Sequence, residues 1–87
     1  MDFTVYILRT SSNTFYTGQT NNLEKRLKQH QGKNSKSAKY LRRFESFELC
    51  YKENCSTRTQ AMRREMQIKN LSHDQKEALI KKAYKHR

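Results

Sequence analysis

Proline and tryptophan are absent from this 87-residue chain, and glycine and cysteine occur twice each. With no proline, no repeat and no low-complexity tract, nothing marks a linker. The length leaves no room for a second core, so one domain over residues 1–87 is expected. Two cysteines, Cys50 and Cys55, are too few for a disulfide framework, and a reducing cytoplasm is the expected compartment. Apolar runs stop after a handful of residues, far short of the roughly 20 that a membrane-spanning helix needs. Met1-Asp2-Phe3-Thr4 carries no basic segment running into an apolar stretch, so export is not expected either.

Acids are scarce as well: eight Asp and Glu stand against nineteen Lys and Arg, a net charge of +11. Leu, Ile, Val and Phe supply only 15 of the 87 residues. Little apolar content with high charge is the composition of a disordered chain. Nine aromatics, five of them Tyr, and a regular apolar pattern argue instead for a small, thinly cored domain.

The charge is concentrated. Residues 1–24 sum to −1, whereas residues 25–43 hold eight bases and no acid: Lys25, Arg26, Lys28, Lys33, Lys36, Lys39, Arg42 and Arg43. Residues 44–55 come to −2 and residues 56–87 to +6. An acid-free basic stretch interrupted by His30 and Tyr40 fits a phosphate-backbone footprint. A solvated basic face is the plainer alternative. An anionic membrane surface fits less well, because no strongly amphipathic basic helix appears.

Alternating β-branched and aromatic residues predict a strand over Phe3–Arg9, and turn chemistry at Thr10-Ser11-Ser12-Asn13 leads into a second strand over Thr14–Thr20. Asn21 with Glu24 reads as a capping box that opens a helix carrying Leu23 and Leu27 and fading near Gly32. Ser35–Arg43 is read as a short basic helix held by Leu41. Phe44–Lys52 is expected to be a third strand, with Phe47, Leu49 and Tyr51 on one face. Thr57 with Gln60, and Ser72 with Gln75, are two further capping boxes, each opening a helix. The order ββα(α)βαα predicts an α+β domain with a small three-stranded antiparallel sheet.

Polar residues fall where this pattern predicts burial. At about 100° per residue, Glu65 shares a helix stripe with Ala61 and Ile68 and therefore needs a partner. An i,i+4 ion pair with Lys69, helped by Arg58, would satisfy it, and so would a divalent cation held beside the sheet. Arg26 and His30, one turn apart, flank the Leu23–Leu27 stripe. An inward guanidinium suits a phosphate, although a histidine there is commonly a satisfied core residue. Tyr6 and Tyr16 lie in the two arms of the hairpin. Gly18 within a strand marks a bulge or a close approach. Cys50, Cys55 and His73 make only a weak zinc pattern.

Thr4-Val5-Tyr6 and Tyr16-Thr17-Gly18, separated by a hairpin, resemble the two name-giving tripeptides of the GIY-YIG nuclease family. The string Tyr16-Thr17-Gly18-Gln19-Thr20-Asn21-Asn22-Leu23-Glu24-Lys25-Arg26-Leu27 is similar to that family's second strand and arginine helix. His30 stands where many members carry His or Tyr, and Arg64-Glu65 with Ile68-Lys69 resembles the segment bearing the family's metal-binding glutamate. The likeness covers residues 3–72 and is nearest to the small stand-alone bacterial members. Thr4, Val5 and Thr17 replace the usual Gly, Ile and Ile. Where many members carry Asn, about a dozen residues after the glutamate, this chain reads Lys76-Glu77-Ala78.

The resemblance implies phosphodiester hydrolysis with one Mg²⁺ or Mn²⁺ held by Glu65, since clustered carboxylates for a two-metal site are missing. It implies Tyr6 as the general base, with Arg26 on the phosphoryl oxygens and Tyr16 and His30 positioning water or phosphate. Whether Tyr6 or His30 takes the proton is left open by the sequence. DNA of branched or damaged structure is the expected substrate, bound with little sequence preference, and RNA is the second candidate. Two other readings share the fold: a non-catalytic nucleic-acid-binding module, and a nuclease subunit active only with a protein partner. The mark of the latter would be exposed apolar surface around Phe44, Phe47 and the last helix.

Overall fold

The computed structural model describes residues 2–32, 41 and 44–85. Strand β1 (Phe3–Thr10) lies at the centre of a three-stranded sheet, with β2 (Phe15–Thr20) on one side and β3 (Phe47–Cys55) on the other, both antiparallel to it. Helices α1 (Leu23–Gln31), α2 (Arg58–Lys69) and α3 (His73–Lys85) complete the order ββαβαα. This is the expected α+β architecture. The basic helix expected over Ser35–Arg43 lies outside the described residues, apart from Leu41, which is fully buried.

Being central, β1 is covered on both faces, so Val5, Tyr6, Ile7 and Leu8 are all buried. Val5 and Ile7 pack with Ala61 and Ile68 of α2 and Ile80 of α3. Tyr6 and Leu8 face the other way, onto Leu41, Leu23, Leu27, Tyr16 and Phe47. The thin apolar inventory is thus divided between two small clusters. In the β1–β2 turn, Asn13 adopts φ 60°, a left-handed conformation that asparagine tolerates better than most residues.

Three details depart from the sequence reading. The cap of α1 is Asn22, whose side chain accepts from the Lys25 amide at 3.1 Å, one residue later than expected. Thr20 Oγ1 accepts from the Asn22 amide and carries the chain one residue further before the helix starts. Glu24 consequently pairs with Lys28 at 3.6 Å instead of closing a box. Strand β3 starts at Phe47 and runs to Cys55, three residues displaced from the expected span.

The third departure is a bulge. Ile7 pairs with Tyr51 and Leu8 with Leu49, so Cys50 is an extra residue, and its thiol donates to the Ile7 carbonyl at 3.4 Å. One inserted residue reverses the side-chain alternation. Phe47 therefore joins the α1-side cluster while Tyr51 joins the α2/α3 side, and the three residues expected on one face are divided. The later caps follow the sequence: Thr57 Oγ1 accepts from the Gln60 amide, and Ser72 with Gln75 forms a reciprocal box at 3.2 and 2.9 Å.

Candidate active site

The hairpin register sets Tyr6 of β1 directly opposite Gly18 of β2, on the face that α1 covers. A Cβ at position 18 would lie 2.6 Å from Tyr6 Oη, 2.8 Å from its Cζ and 3.2 Å from Tyr16 Cε2. The glycine signal in the second strand was therefore a close approach: the Tyr6 phenol lies across Gly18. The strand bulge is on β3 instead.

Helix α1 brings its last turn over the same phenol. His30 is fully buried, and its Nε2 lies 3.0 Å from Tyr6 Oη. Tyr16 meets the His30 ring edge-on with centroids 5.6 Å apart, and Phe47 closes the opposite side at 6.2 Å. The sequence places Phe47 on a strand and on a candidate partner surface, not against His30. Its role as a wall of the histidine pocket depends on the bulge, and no local pattern announces it. Arg26, one turn before His30 and half-buried, donates from Nη1 to Gln29 Oε1 at 3.0 Å.

Burial sets the electrostatics. It raises the Tyr6 phenol from 10.0 to about 12, with Tyr16 adding to the rise, while the charge and hydrogen bonding of Arg26 pull the other way and lose. Burial also lowers His30 from 6.5 to about 4, and the Arg26 charge lowers it further in the same direction. Near neutral pH both partners are therefore uncharged. One nitrogen of a neutral imidazole keeps a lone pair, so Nε2 can accept the phenol proton in the appropriate tautomer.

Glu65 approaches from α2. Its side chain is 22% exposed, lies 3.8 Å from Lys69 Nζ, and its charge is felt at the Tyr6 phenol. The expected i,i+4 ion pair is thus present, formed by Lys69. A cleft of about 410 Å³ beside Glu65 is lined by Met62, Met66, Thr59, Arg63 and Lys69. Glu65 shares this cleft with two methionines and the cations Arg63 and Lys69, so a divalent cation there would take a single protein ligand, keep most of its waters and displace the Lys69 pairing. Among the described residues no three His, Cys, Asp or Glu side chains converge on a metal position. The zinc pattern is corrected accordingly: His73 stacks on Phe15 at 4.7 Å, and Cys50 is engaged with the Ile7 carbonyl.

The Tyr6 phenol thus touches His30 and lies across Gly18, Tyr16 packs against both rings, and Arg26 and Glu65 act on the phenol from two helices. The profile of the GIY-YIG catalytic domain matches residues 2–86. The chain belongs to the GIY-YIG family. UPF0213 proteins are similar to it over most of their length. That of Desulfotalea psychrophila is 38% identical over 81 residues, 93% of this chain and 73% of the relative. That of Staphylococcus haemolyticus is 41% identical over 76 residues, 87% of this chain and 90% of the relative. The solution NMR structure of the UPF0213 protein BH0048 from Bacillus halodurans superposes with a TM-score of 0.59 at 36% identity, covering 93% of this chain and 84% of that one. GIY-YIG membership implies a nuclease-type fold, nucleic acid as substrate and divalent metal as the usual cofactor.

Of the basic residues read as a backbone footprint, Lys25 and Lys28 are exposed on α1. Lys33, Lys36, Lys39, Arg42 and Arg43 lie outside the described residues. Among the described residues the exposed large apolar side chains are Leu49, Met62 and Met66, and Phe44 and Phe47 are half-buried. The apolar surface expected around Phe44 and Phe47 is found instead on α2, next to Glu65. No helix among the described residues is long and apolar enough to cross a membrane.

Proposed function

We propose that this GIY-YIG chain is a one-metal nuclease that hydrolyses phosphodiester bonds of DNA, branched or damaged DNA in particular, with low sequence specificity. The observation that carries the reading is the buried 3.0 Å contact of Tyr6 Oη with His30 Nε2, beneath Gly18 and beside Arg26. Any buried tyrosine needs an acceptor for its hydroxyl; what packing alone does not require is the arginine and the carboxylate that act on this one from two helices.

A phenol held at about 12 is a poor base if it must first ionise. With His30 Nε2 in contact, Tyr6 Oη takes a proton from the attacking water as it hands its own to the imidazole. The water oxygen forms a bond to phosphorus, the bond to the leaving oxygen breaks, and solvent protonates the leaving group. His30, neutral down to about pH 4, keeps a lone pair on Nε2 that accepts the phenol hydrogen bond at physiological pH, while burial and the Arg26 charge make it a weak base that holds the proton only transiently before passing it to solvent. In this reading the base is a relay: Tyr6 touches the water, and His30 receives the proton. Arg26 stabilises charge on the transferring phosphoryl oxygens, and Tyr16 positions water or phosphate against them. Glu65 would hold one Mg²⁺ or Mn²⁺, with water and a phosphate oxygen completing its shell. When bound, that cation supplies charge neutralisation at the phosphoryl oxygen. Lys25 and Lys28, with Lys33, Lys36, Lys39, Arg42 and Arg43, contact the backbone and confer affinity without sequence preference.

A second reading draws on Met62 and Met66, 50% and 65% exposed beside Glu65: a protein partner covers them and completes the enzyme. One assay separates the readings. Wild type and Glu65→Ala are incubated with labelled single-stranded, duplex and branched DNA and RNA, with Mg²⁺, Mn²⁺ or chelator. Cleavage that vanishes with chelator and in the variant supports the nuclease. Salt-sensitive binding without cleavage by the isolated chain refutes a self-sufficient enzyme and leaves the partner-dependent or binding reading.

A further inference from the structure

Two of the positions where this chain departs from the usual GIY-YIG pattern meet in one place. Thr17 stands in the second tripeptide where isoleucine is usual, and Lys76 stands in the neighbourhood where many members have asparagine. Both line a cleft of about 290 Å³ between β2 and the α2–α3 junction, together with Phe15, Tyr16 and Lys69. Among the described residues no carboxylate lines it. Lys76 is half-buried and has no acidic partner among the described residues. Lys69 also lines the cleft holding Glu65, and it is the one residue the two share.

Thr17 supplies the independent signal. It is 4% exposed, and its Oγ1 is the one buried side-chain oxygen or nitrogen among the described residues that lacks a hydrogen-bond partner. Its register opposite Ile7 puts the side chain on the α2/α3 face, among apolar neighbours where isoleucine would have been satisfied without a partner. An orphan hydroxyl is disfavoured in the free protein. Thr17 is one of the residues that line the cleft, so a group bound there lies beside this hydroxyl.

We propose that this cleft is a phosphate subsite that holds the nucleic-acid backbone next to the scissile linkage. Lys76 and Lys69 supply the positive charge, and Thr17 donates its hydroxyl to a phosphate oxygen. The subsite rests on the nucleic-acid reading above and deepens it, because it fixes a path for the strand. From the Tyr16 and Glu65 centre the backbone crosses Lys69 and continues along the β2 edge towards Lys76. Lys69 is then exchanged from Glu65 to the phosphate as the strand is bound.

The test is equilibrium binding of a labelled single-stranded DNA 20-mer in chelator, read by fluorescence anisotropy at several salt concentrations, for wild type, Lys76→Met, Thr17→Val and Thr17→Ser. Lys76→Met is expected to flatten the slope of log K against log salt by about 0.7, the value for one phosphate contact on a single strand. Thr17→Val is expected to weaken binding about two- to ten-fold, the loss of one hydrogen bond, while melting at the same or a higher temperature than wild type. Thr17→Ser should bind like wild type. A purely structural threonine would show no such opposition between stability and affinity. Unchanged affinity of Thr17→Val, or an unchanged slope for Lys76→Met, overturns the subsite. NMR titration with inorganic phosphate distinguishes the source of the anion. Saturable shifts at Thr17 and Lys76, combined with oligonucleotide binding that ignores both variants, would assign the cleft to a free phosphate and overturn the backbone assignment. These readouts involve no turnover. A wild type that fails to cleave but shows the predicted binding pattern refutes the nuclease reading alone.

Discussion

Gly18→Ala is the most informative single change, because it adds one carbon directly above the Tyr6 phenol. That carbon would lie 2.6 Å from Oη and 2.8 Å from Cζ. Comfortable non-bonded separation begins at about 3.5 Å, so the ring has to retreat by close to 1 Å. Its retreat is resisted. Tyr6 is 1% exposed, His30 lies 3.0 Å beyond the hydroxyl, and Leu8 and Leu41 fill the adjoining space. Over-packing of this kind typically costs about 1–3 kcal/mol, which lowers the melting temperature of a domain this size by roughly 5–15 °C. A reacting group misplaced by about 1 Å loses on the order of 100-fold in rate. The assay is thermal unfolding by circular dichroism, alongside single-turnover cleavage of the best substrate with the variant fully bound. A variant that melts within 1 °C of wild type and cleaves at its rate would mean that the phenol moves freely. The account of Gly18 as the floor beneath a fixed phenol would then be wrong.

Other expectations follow from the same geometry. Tyr6→Phe leaves the buried His30 Nε2 without its partner and should cost about 1–3 kcal/mol on unfolding. If Tyr6 relays the proton, that variant also loses about 100- to 10,000-fold in single-turnover rate, and near-normal cleavage would eliminate the relay. His30 is lowered in the fold from 6.5 to about 4, so between those pH values the unfolded chain binds the extra proton. Stability from this source is therefore complete above about pH 6.5 and is lost as the pH falls towards 4. Its ceiling is about 3 kcal/mol, and NMR of the His30 ring, which should stay neutral until pH approaches 4, checks it. Ser72→Ala removes the hydroxyl that caps α3 and should lower stability by about 1 kcal/mol, measured by urea unfolding; an unchanged midpoint would contradict the box seen at 2.9 and 3.2 Å.

Much of this was legible one residue at a time. Alternation marked β1, because a pleated strand repeats every second residue. Ser72 with Gln75 announced its own helix, because a capping box is closed within four residues. Tyr6, Tyr16, Arg26, His30 and Glu65 stood out as a set through their likeness to the GIY-YIG motifs, and the isolated glycine in β2 left a bulge and a close approach both open. The reading failed where a neighbour in space decides. The Asn22 cap depended on how Thr20 bonds the chain before it. The alternation of β3 was reversed by Cys50, and a bulge is defined by the partner strand, which the sequence of β3 alone does not contain.

The sequence by itself determined the element order and the basic character, since each arises from local periodicity, capping or composition. Tertiary structure alone decided which residues touch. It laid the Tyr6 phenol across Gly18, brought Phe47 against His30, and left Thr17 with a buried hydroxyl beside two lysines. It also set the protonation of the Tyr6–His30 pair. Both groups are neutral at physiological pH because burial removes the water that would stabilise their charged forms, and burial belongs to the assembled fold.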